Sequence, residues 1–160
     1  MDKRIEKICA QDIDLIVYDF DGVMTDNSVL VFQDGTEAII ANRADGLGVD
    51  LIKKLNIKQL ILSTETNSVV QARADKLGLE VIASCKDKKS ALEEYCLENG
   101  FDLKKIIYVG NDLNDLEAMK IVGYPVAPAD AYHEILKIAS LITKAKGGEG
   151  VVRELVDFIE

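Results

Sequence analysis

Two aspartates in the motif Asp19-Phe20-Asp21-Gly22 are the side chains of this 160-residue chain best suited to chemistry. They directly follow an apolar run at 15–18, which predicts a buried strand. Residues two apart in an extended chain share a face, so both carboxylates can address one ligand, and Gly22 eases the turn. Adjacent carboxylates repel each other unless a hard cation with oxygen ligands, such as Mg²⁺, lies between them. The motif therefore predicts a magnesium site that includes Asp19 and Asp21.

A carboxylate beside such a cation can also act as a nucleophile. Asp19 is predicted to attack phosphorus and form an aspartyl-phosphate. Asp21 is predicted to protonate the leaving oxygen and later to deprotonate the attacking water. Because an isolated Asp-x-Asp pair is more often a solvated or capping pair, this interpretation depends on the ends of the other strands.

Polar residues follow three further predicted strands. Ser63 follows the strand at 60–62, Lys88 begins a helix after the strand at 81–82, and the loop Gly110-Asn111-Asp112-Leu113-Asn114-Asp115 follows the strand at 106–109. Each of these alone is typical of an ordinary cap, turn or surface charge. The carboxyl ends of parallel strands share one crevice, however, so we expect these residues to meet Asp19.

The order of these four elements resembles the haloacid dehalogenase superfamily of phosphatases. The resemblance implies that Ser63 binds a phosphoryl oxygen and that Lys88, rather than its neighbour Lys89, neutralises phosphate and nucleophile. It also implies that the loop supplies metal ligands, for which Asn111, Asp112 and Asp115 are the candidates. The family usually has Asp where this chain has Asn111, so either Asn111 or Asp112 is left as the ligand.

Two further motifs narrow the resemblance. Arg43-Ala44-Asp45-Gly46 and the terminal stretch Gly147-Gly148-Glu149-Gly150-Val151-Val152-Arg153-Glu154 resemble small uncapped phosphatases of 3-deoxy-2-ulosonic acid phosphates, such as the 3-deoxy-D-manno-octulosonate (KDO) 8-phosphate phosphatases. The resemblance implies a homotetramer in which a neighbouring subunit helps to close each site. Arg43 and Arg153 are candidates for binding the sugar's carboxylate.

The segment that follows the predicted strand at 60–62 favours one branch of this group. The resemblance to the octulosonate enzymes implies a Thr-Gly-Arg pattern at this position, but this chain has Ser63-Thr64-Glu65. Together with Arg73 and Lys76, this looks more like the nine-carbon 2-keto-3-deoxynononate (KDN) 9-phosphate phosphatases and the phosphatase-like domain of acylneuraminate cytidylyltransferases. Thr64, Glu65, Arg73 and Lys76 are therefore expected to bind substrate, with Lys76 able to pair with Glu65.

Short apolar runs alternate with amphipathic stretches along the chain, which predicts one α/β domain with a doubly wound, Rossmann-like parallel sheet flanked by helices. We expect five core strands and six helices, as follows: strands at 15–18, 60–62, 81–82, 106–109 and 125–127, and helices at 46–55, 68–77, 88–99, 114–122, 131–139 and 151–159. Between Asp26 and Arg43 there is room only for a β-hairpin flap, with strands at 29–32 and 37–40 around Asp34-Gly35. A large cap domain is not expected.

Composition limits the partners and the location. A net charge of -9 at pH 7 disfavours nucleic acid and anionic membranes. The stretch 1–6 lacks the apolar segment of a signal peptide, so we expect a cytoplasmic protein. Cys9, Cys85 and Cys96 form no Cys-x-x-Cys pair and indicate neither a zinc site nor a disulfide framework.

Two other functions compete with a phosphatase. A phosphorelay receiver domain also uses Mg²⁺ and an aspartyl-phosphate, but its acceptor aspartate would follow the third strand and it would lack the hairpin. A non-catalytic, tetramerising module related to acylneuraminate cytidylyltransferase is the second alternative. It would gain support if Asn111 abolished metal binding.

Overall fold

A computed structural model describes residues 6–160 of the chain. The prediction that the chain lacks a signal peptide was based on residues 1–6, of which 1–5 lie outside this range. In chain order the strands are β1 (Leu15–Tyr18), β2 (Leu30–Val31), β3 (Glu37–Ala38), β4 (Lys58–Leu62), β5 (Glu80–Ile82), β6 (Ile106–Val109), β7 (Tyr124–Ala127) and β8 (Leu141–Ile142). Six of them form one parallel sheet in the order β5-β4-β1-β6-β7-β8. This confirms the predicted doubly wound α/β fold.

All five predicted core strands are present, and the sixth strand was missed. β8 pairs with β7 through the register Val126↔Leu141 and Ala127↔Ile142. It is only two residues long, which is too short to produce a period-2 pattern in the sequence.

In the described part of the chain, six α-helices connect or follow the strands. They are α1 (Arg43–Lys53), α2 (Val69–Leu77), α3 (Lys88–Asn99), α4 (Leu116–Ile121), α5 (His133–Ile138) and α6 (Val151–Leu155). α3 matches its predicted bounds, whereas α1 begins three residues earlier than predicted because the Asn42 side chain accepts a hydrogen bond from Ala44 N and caps it. The last helix ends early, because a 3₁₀ turn at Val156–Phe158 replaces its final α-turn.

The helices cover both faces of the sheet. Alternating residues of β1 belong to opposite layers of the core, because successive side chains of a strand point to opposite faces. Ile16 and Tyr18 pack in the layer with α1, α2 and α6. Leu15 and Val17 pack in the layer with α3, α4 and α5. With all four residues of β1 fully buried, the strand that carries Asp19 at its end lies at the centre of the core.

The predicted hairpin is also present. β2 and β3 pair antiparallel, and Gly35 adopts a left-handed φ of 84° in the turn between them. The paired strands are shorter than predicted. The hairpin exposes apolar side chains to solvent, with exposed fractions of 50% for Val29, 60% for Leu30, 61% for Val31, 49% for Phe32 and 81% for Ile40.

No helix within residues 6–160 combines the length and apolarity needed to cross a bilayer. The single-domain organisation, the cytoplasmic location and the absence of nucleic-acid partners stay predictions.

Candidate active site

A cavity of about 380 Å³ lies at the carboxyl ends of β1, β4 and β6. This is the edge at which an open α/β sheet forms its ligand crevice. The residues that line it are Asp19, Asp21, Asn27, Ser63, Thr64, Glu65, Asn111, Asp112 and Asn114. Three separate strand ends expected to meet are therefore brought together here.

Lys88 reaches this site from the first turn of α3. Its Nζ lies 2.7 Å from Asp19 Oδ1 and 2.7 Å from Asp115 Oδ1. The lysine is 2% exposed, and it is one of the largest fully buried side chains among the described residues. A buried ammonium group is tolerated only when it is paired, and here two carboxylates pair with it. Of the two neighbouring lysines, the chosen Lys88 is the one at the site.

Burial and charge shift the pKa values of this group. The pKa of Asp19 is raised to about 8, because burial and, to a smaller extent, the charge of Asp115 raise it more than Lys88 and the Phe20 amide lower it. Burial lowers the pKa of Lys88, but the charges of Asp19 and Asp115 outweigh burial and raise it overall. Lys88 therefore stays protonated, and Asp19 needs additional positive charge in order to ionise fully at neutral pH.

Asp21 is oriented by the turn that follows it. Thr25 Oγ1 donates a hydrogen bond of 3.0 Å to Asp21 Oδ1, and the same hydroxyl accepts from Gly22 N and Asn27 N. Burial raises the pKa of Asp21, although the hydrogen bond from Thr25 opposes the shift. A carboxyl group with a raised pKa keeps its proton more readily, which suits it to act as a general acid.

Asn111 brings its side-chain amide into the acidic pair. One terminal atom of the amide lies 3.0 Å from both the backbone oxygen of Asp21 and Oδ2 of Asp19. With nitrogen at this position, the amide donates to both oxygens. With oxygen at this position, the oxygens of Asn111, Asp19 and Asp21 lie together, and oxygen atoms of these types are the ligands that a hard cation prefers. The residues therefore fit a magnesium ion, and rotation of the amide switches between the two arrangements.

Gly22 makes this approach of Asn111 possible. Its φ is 83°, and a Cβ at this position would collide with the Asn111 amide. Within residues 6–160, no three His, Cys, Asp or Glu side chains form a group able to hold a metal. A backbone oxygen and an amide oxygen would therefore have to complete the ligands here.

Asp115, a candidate metal ligand from its loop, is held by donors of the protein and does not line the cavity. Its Oδ1 accepts from Lys88 and Tyr108, and its Oδ2 accepts from the backbone N–H groups of Asn111 and Asp112. The side chain is fully buried and does not line the cavity. Both oxygens are thus used to hold Lys88 and the loop in place.

Asp112 lies at the edge of the cavity. It is exposed, and its Oδ1 accepts a hydrogen bond of 2.7 Å from Leu113 N. Between the two candidates left open by the sequence, Asn111 is the one that contacts the oxygens of Asp19 and Asp21.

The segment Ser63-Thr64-Glu65 forms one wall of the cavity. Ser63 is 2% exposed at the end of β4, and its Oγ accepts from Glu65 N. Thr64 and Glu65 also line the cavity. Glu65 is fixed by its own turn, because its Oε1 accepts from the N–H groups of Thr66 and Asn67.

The basic residues expected to bind substrate lie elsewhere in the chain. Arg43, Arg73 and Lys76 line a separate cavity of about 230 Å³ between α1 and α2. The expected pairing of Lys76 with Glu65 does not form, since the two residues line different cavities. Arg153 lies on α6, 3.6 Å from Asp157. Within one chain, none of these four side chains lines the acidic cavity.

Sequence reasoning missed several residues of the site. Thr25 orients Asp21, Tyr108 holds Asp115, and Asn27 and Asn114 line the cavity. Asn114 lies inside the loop at 110–115, and Thr25 follows the motif at 19–22 by three residues, so their positions were a usable signal. Tyr108 is hidden in the apolar run of β6, which gives no sign that its hydroxyl group points at a carboxylate.

Comparison with known families agrees with this geometry. Residues 47–155, more than half of the chain, match the family of haloacid dehalogenase-like hydrolases. The chain belongs to this family. It is 33% identical to the 3-deoxy-D-manno-octulosonate 8-phosphate phosphatase KdsC of Yersinia pestis, over 94% of this chain and 81% of the relative. The phosphatase class predicted from the motifs is confirmed, and the receiver-domain alternative is set aside.

Solved structures of this family have the same fold. A haloacid dehalogenase family hydrolase from Streptomyces avermitilis is 43% identical, with a TM-score of 0.93 over 96% of this chain and 88% of the other. The 3-deoxy-D-manno-octulosonate 8-phosphate phosphatase from Moraxella catarrhalis, solved with magnesium, phosphate and KDO, is 30% identical, with a TM-score of 0.88 over 92% of this chain and 85% of the other.

Proposed function

We propose that this phosphatase is a Mg²⁺-dependent phosphomonoesterase that releases phosphate from a 3-deoxy-2-ulosonic acid phosphate through an aspartyl-phosphate on Asp19. The observation that carries the proposal is the contact of 2.7 Å between Lys88 Nζ and Asp19 Oδ1 at the end of β1. A buried lysine here lowers the cost of bringing a phosphate dianion to a carboxylate.

The ligands of Mg²⁺ would be Asp19 Oδ2, the backbone oxygen of Asp21 and the side-chain oxygen of Asn111. These are the atoms that already converge. Asp112, which also lines the cavity, is the remaining candidate ligand of the same loop. When bound, the ion neutralises phosphoryl charge and lowers the pKa of Asp19. The solved Moraxella catarrhalis relative was crystallised with magnesium, which supports this choice of metal.

The first half of the reaction transfers the phosphoryl group to the protein. An oxygen of Asp19 attacks phosphorus, and the bond between phosphorus and the sugar oxygen breaks. Asp21 gives its proton to the departing sugar oxygen, for which its raised pKa suits it. Ser63 and Lys88 bind the phosphoryl oxygens and balance their charge.

The second half returns Asp19 to its starting state. Asp21, now ionised, takes a proton from a water molecule, whose oxygen attacks phosphorus. The bond between phosphorus and the Asp19 oxygen breaks, which restores the Asp19 carboxylate and releases inorganic phosphate. Thr25 keeps Asp21 in one orientation through both halves, because its hydroxyl is fixed by two backbone N–H groups. Each step leaves atoms and charge balanced.

The relatives named as octulosonate 8-phosphate phosphatases support a sugar acid phosphate as substrate. Within that class we favour a nine-carbon KDN or sialic-type 9-phosphate over KDO 8-phosphate. The reason is Glu65, which lines the cavity. It occupies the position at which the pattern of the eight-carbon enzymes has arginine. A carboxylate accepts hydrogen bonds from sugar hydroxyls, and the nine-carbon substrates offer an additional hydroxyl.

A homotetramer would complete such a site. The basic cavity of Arg43, Arg73 and Lys76 is separate from the acidic cavity, so these side chains could serve as substrate ligands only across a subunit boundary. The exposed apolar residues of the hairpin supply a surface that association would bury. Arg153, 40% exposed on α6, is the remaining candidate for contact with a neighbour's substrate.

The test is phosphate release from matched eight- and nine-carbon ulosonic acid phosphates, with Mg²⁺ and with a chelator. We expect Mg²⁺-dependent release, faster from the nine-carbon substrate, and none from the Asp19→Asn protein. Glu65→Arg should shift the preference toward the eight-carbon substrate. Release of phosphate by Asp19→Asn at the wild-type rate would contradict the proposal, and an absence of release from every substrate would favour the non-catalytic alternative.

A further inference from the structure

Two segments of this chain contact each other without taking part in the transfer of the phosphoryl group. They are Asn42 to Gly46, at the start of α1, and Gly147 to Arg153, which leads into α6. The two motifs are about a hundred residues apart in sequence, yet they contact each other directly.

Asp45 binds the beginning of α6. Its Oδ1 accepts from Val152 N at 3.0 Å and from Arg153 N at 3.3 Å, which satisfies backbone donors that an isolated helix leaves free. The side chain is 1% exposed, and its other oxygen, Oδ2, has no hydrogen-bond partner among residues 6–160. Burying an acidic group in this way costs free energy. The buried position of Asp45 therefore suggests a role beyond stabilising the fold.

Asn42 makes a second tie to the same segment. Its Oδ1 caps α1 by accepting from Ala44 N at 2.8 Å, and its Nδ2 donates to the backbone oxygen of Gly148 at 3.2 Å. Arg73 Nη2 donates to the Asn42 backbone oxygen and steadies it from α2. α1 therefore holds the 147–153 segment at both ends.

The opposite side of this segment rests on the acidic turn. Gly148 N donates to Val23 O at 3.0 Å. Gly147 packs so closely that a Cβ there would collide with the backbone oxygen of Gly22. That peptide follows Asp21, whose backbone oxygen lies 3.0 Å from the Asn111 amide. A displacement of the segment would therefore be passed to a proposed metal ligand.

We propose that Asn42 and Asp45 are positioning residues that press the 147–153 segment onto the turn after Asp21 and so fix the Asp21 carbonyl for Mg²⁺. The inference rests on the proposed function for the identity of the ion. Neither residue touches the metal or the substrate. Their effect passes through the backbone of Gly147 and Gly148.

Three variants separate this role from a general contribution to stability. Asn42→Asp keeps an oxygen to cap α1 but replaces the donor to Gly148 with an acceptor. Asp45→Ala removes the acceptor for Val152 and Arg153, whereas Asp45→Asn retains an acceptor oxygen. Asp102→Ala is the control, because Asp102 caps a remote 3₁₀ turn through Lys104 N.

The measurement is the dissociation constant for Mg²⁺ from calorimetry, together with the rise in Tm that Mg²⁺ produces. Loss of an outer contact that orients a metal ligand weakens binding by roughly 10-fold or more, which we expect for Asn42→Asp and Asp45→Ala. Asp45→Asn and Asp102→Ala should bind Mg²⁺ within about twofold of the wild type by the same reasoning.

The outcomes are distinguishable. Wild-type Mg²⁺ affinity in Asn42→Asp would overturn the positioning role even if the wild-type enzyme is active. The same holds if Asp102→Ala loses as much Mg²⁺ affinity as Asn42→Asp. If Asp45→Ala does not fold, Asn42→Asp still decides the question. A wild-type protein that binds Mg²⁺ but hydrolyses no sugar phosphate would contradict the proposed function, while the Mg²⁺ affinities would still test the inference.

Discussion

Lys88 Nζ lies 2.7 Å from Asp115 Oδ1 as well as from Asp19 Oδ1, so one ammonium group joins the end of β1 to the loop after β6. Asp115 also accepts from Tyr108 and from two loop N–H groups. This relationship explains why an acidic residue of the metal loop is buried away from the cavity. It holds the lysine that the nucleophile needs.

The role of Asp115 is tested by Asp115→Asn. Removing one carboxylate from a buried ion group leaves Lys88 with less compensating charge, and we expect the free energy of unfolding to fall by about 3 kcal/mol. Mg²⁺ affinity should change little, because the side chain does not line the cavity. Denaturant unfolding and Mg²⁺ calorimetry measure the two effects. Unchanged stability together with a large loss of Mg²⁺ affinity would instead make Asp115 a ligand.

Gly22→Ala tests the close approach of Asn111. A Cβ at position 22 would displace the amide, and a misplaced catalytic group can cost about 100-fold in rate. Gly100→Ala is the matched control, because Gly100 also has a positive φ, 71°, but nothing lies near its Cβ position. Both variants should lose about 1–2 kcal/mol of stability from the left-handed backbone. Only Gly22→Ala should lose activity, and equal rates of phosphate release in the two variants would contradict the assignment.

The pH dependence of stability is predicted to have a contribution from Asp45. Burial is the largest cause that raises the pKa of Asp45, to about 6, although the hydrogen bonds from Arg153 N and Val152 N and the charge of Arg73 oppose it. Because the folded-state pKa lies above the unfolded value, the ionised group destabilises the fold. This cost grows as pH rises through the interval from about 4 to about 6, and amounts to about 3 kcal/mol above it.

Asp45→Asn should therefore stabilise the protein at pH 7.5 and have little effect at pH 4. The free energy of unfolding, measured by urea denaturation at both pH values, checks this. A variant that is less stable than the wild type at pH 7.5 would show that the Asp45 charge contributes more to the contact with α6 than burial costs.

Ile40→Glu tests association through the hairpin. Ile40 is 81% exposed beside β3, and a charge there should oppose burial in a subunit interface. We expect light scattering to show a tetramer for the wild type and smaller species for Ile40→Glu, with lower activity. Leu97→Glu is the control, since Leu97 is 84% exposed on α3. A wild-type monomer, or an unchanged assembly in Ile40→Glu, would contradict the proposed tetramer.

The sequence was sufficient to predict the sheet and the meeting of Asp19, Ser63, Lys88 and Asn111. Each of these residues lies within two positions of a strand end or begins the next helix, and parallel strands bring those positions to one edge. It was insufficient for Asp115, because the orientation of a carboxylate within a loop depends on the partners it finds. Nothing in the spacing indicated that Lys88 and Tyr108 would both reach Asp115 Oδ1.

The positions of the basic residues were also beyond the sequence. Arg73 and Lys76 lie on α2, and which cavity they line depends on how that helix packs on the sheet. The strand β8 was missed because two residues carry no periodicity. Asp45 belonged to a recognised motif, but its contact with Val152 spans more than a hundred residues and arises only from the packing of α1 on α6.

The central claim is that an oxygen of Asp19 captures phosphorus. The most direct measurement is to quench the enzyme with acid during turnover, reduce it with borohydride and locate modified residues by mass spectrometry. An aspartyl-phosphate at position 19 is reduced to homoserine, and we expect this change only when substrate and Mg²⁺ are both present. Rapid release of phosphate with Asp19 unmodified, or homoserine at another aspartate, would contradict the account.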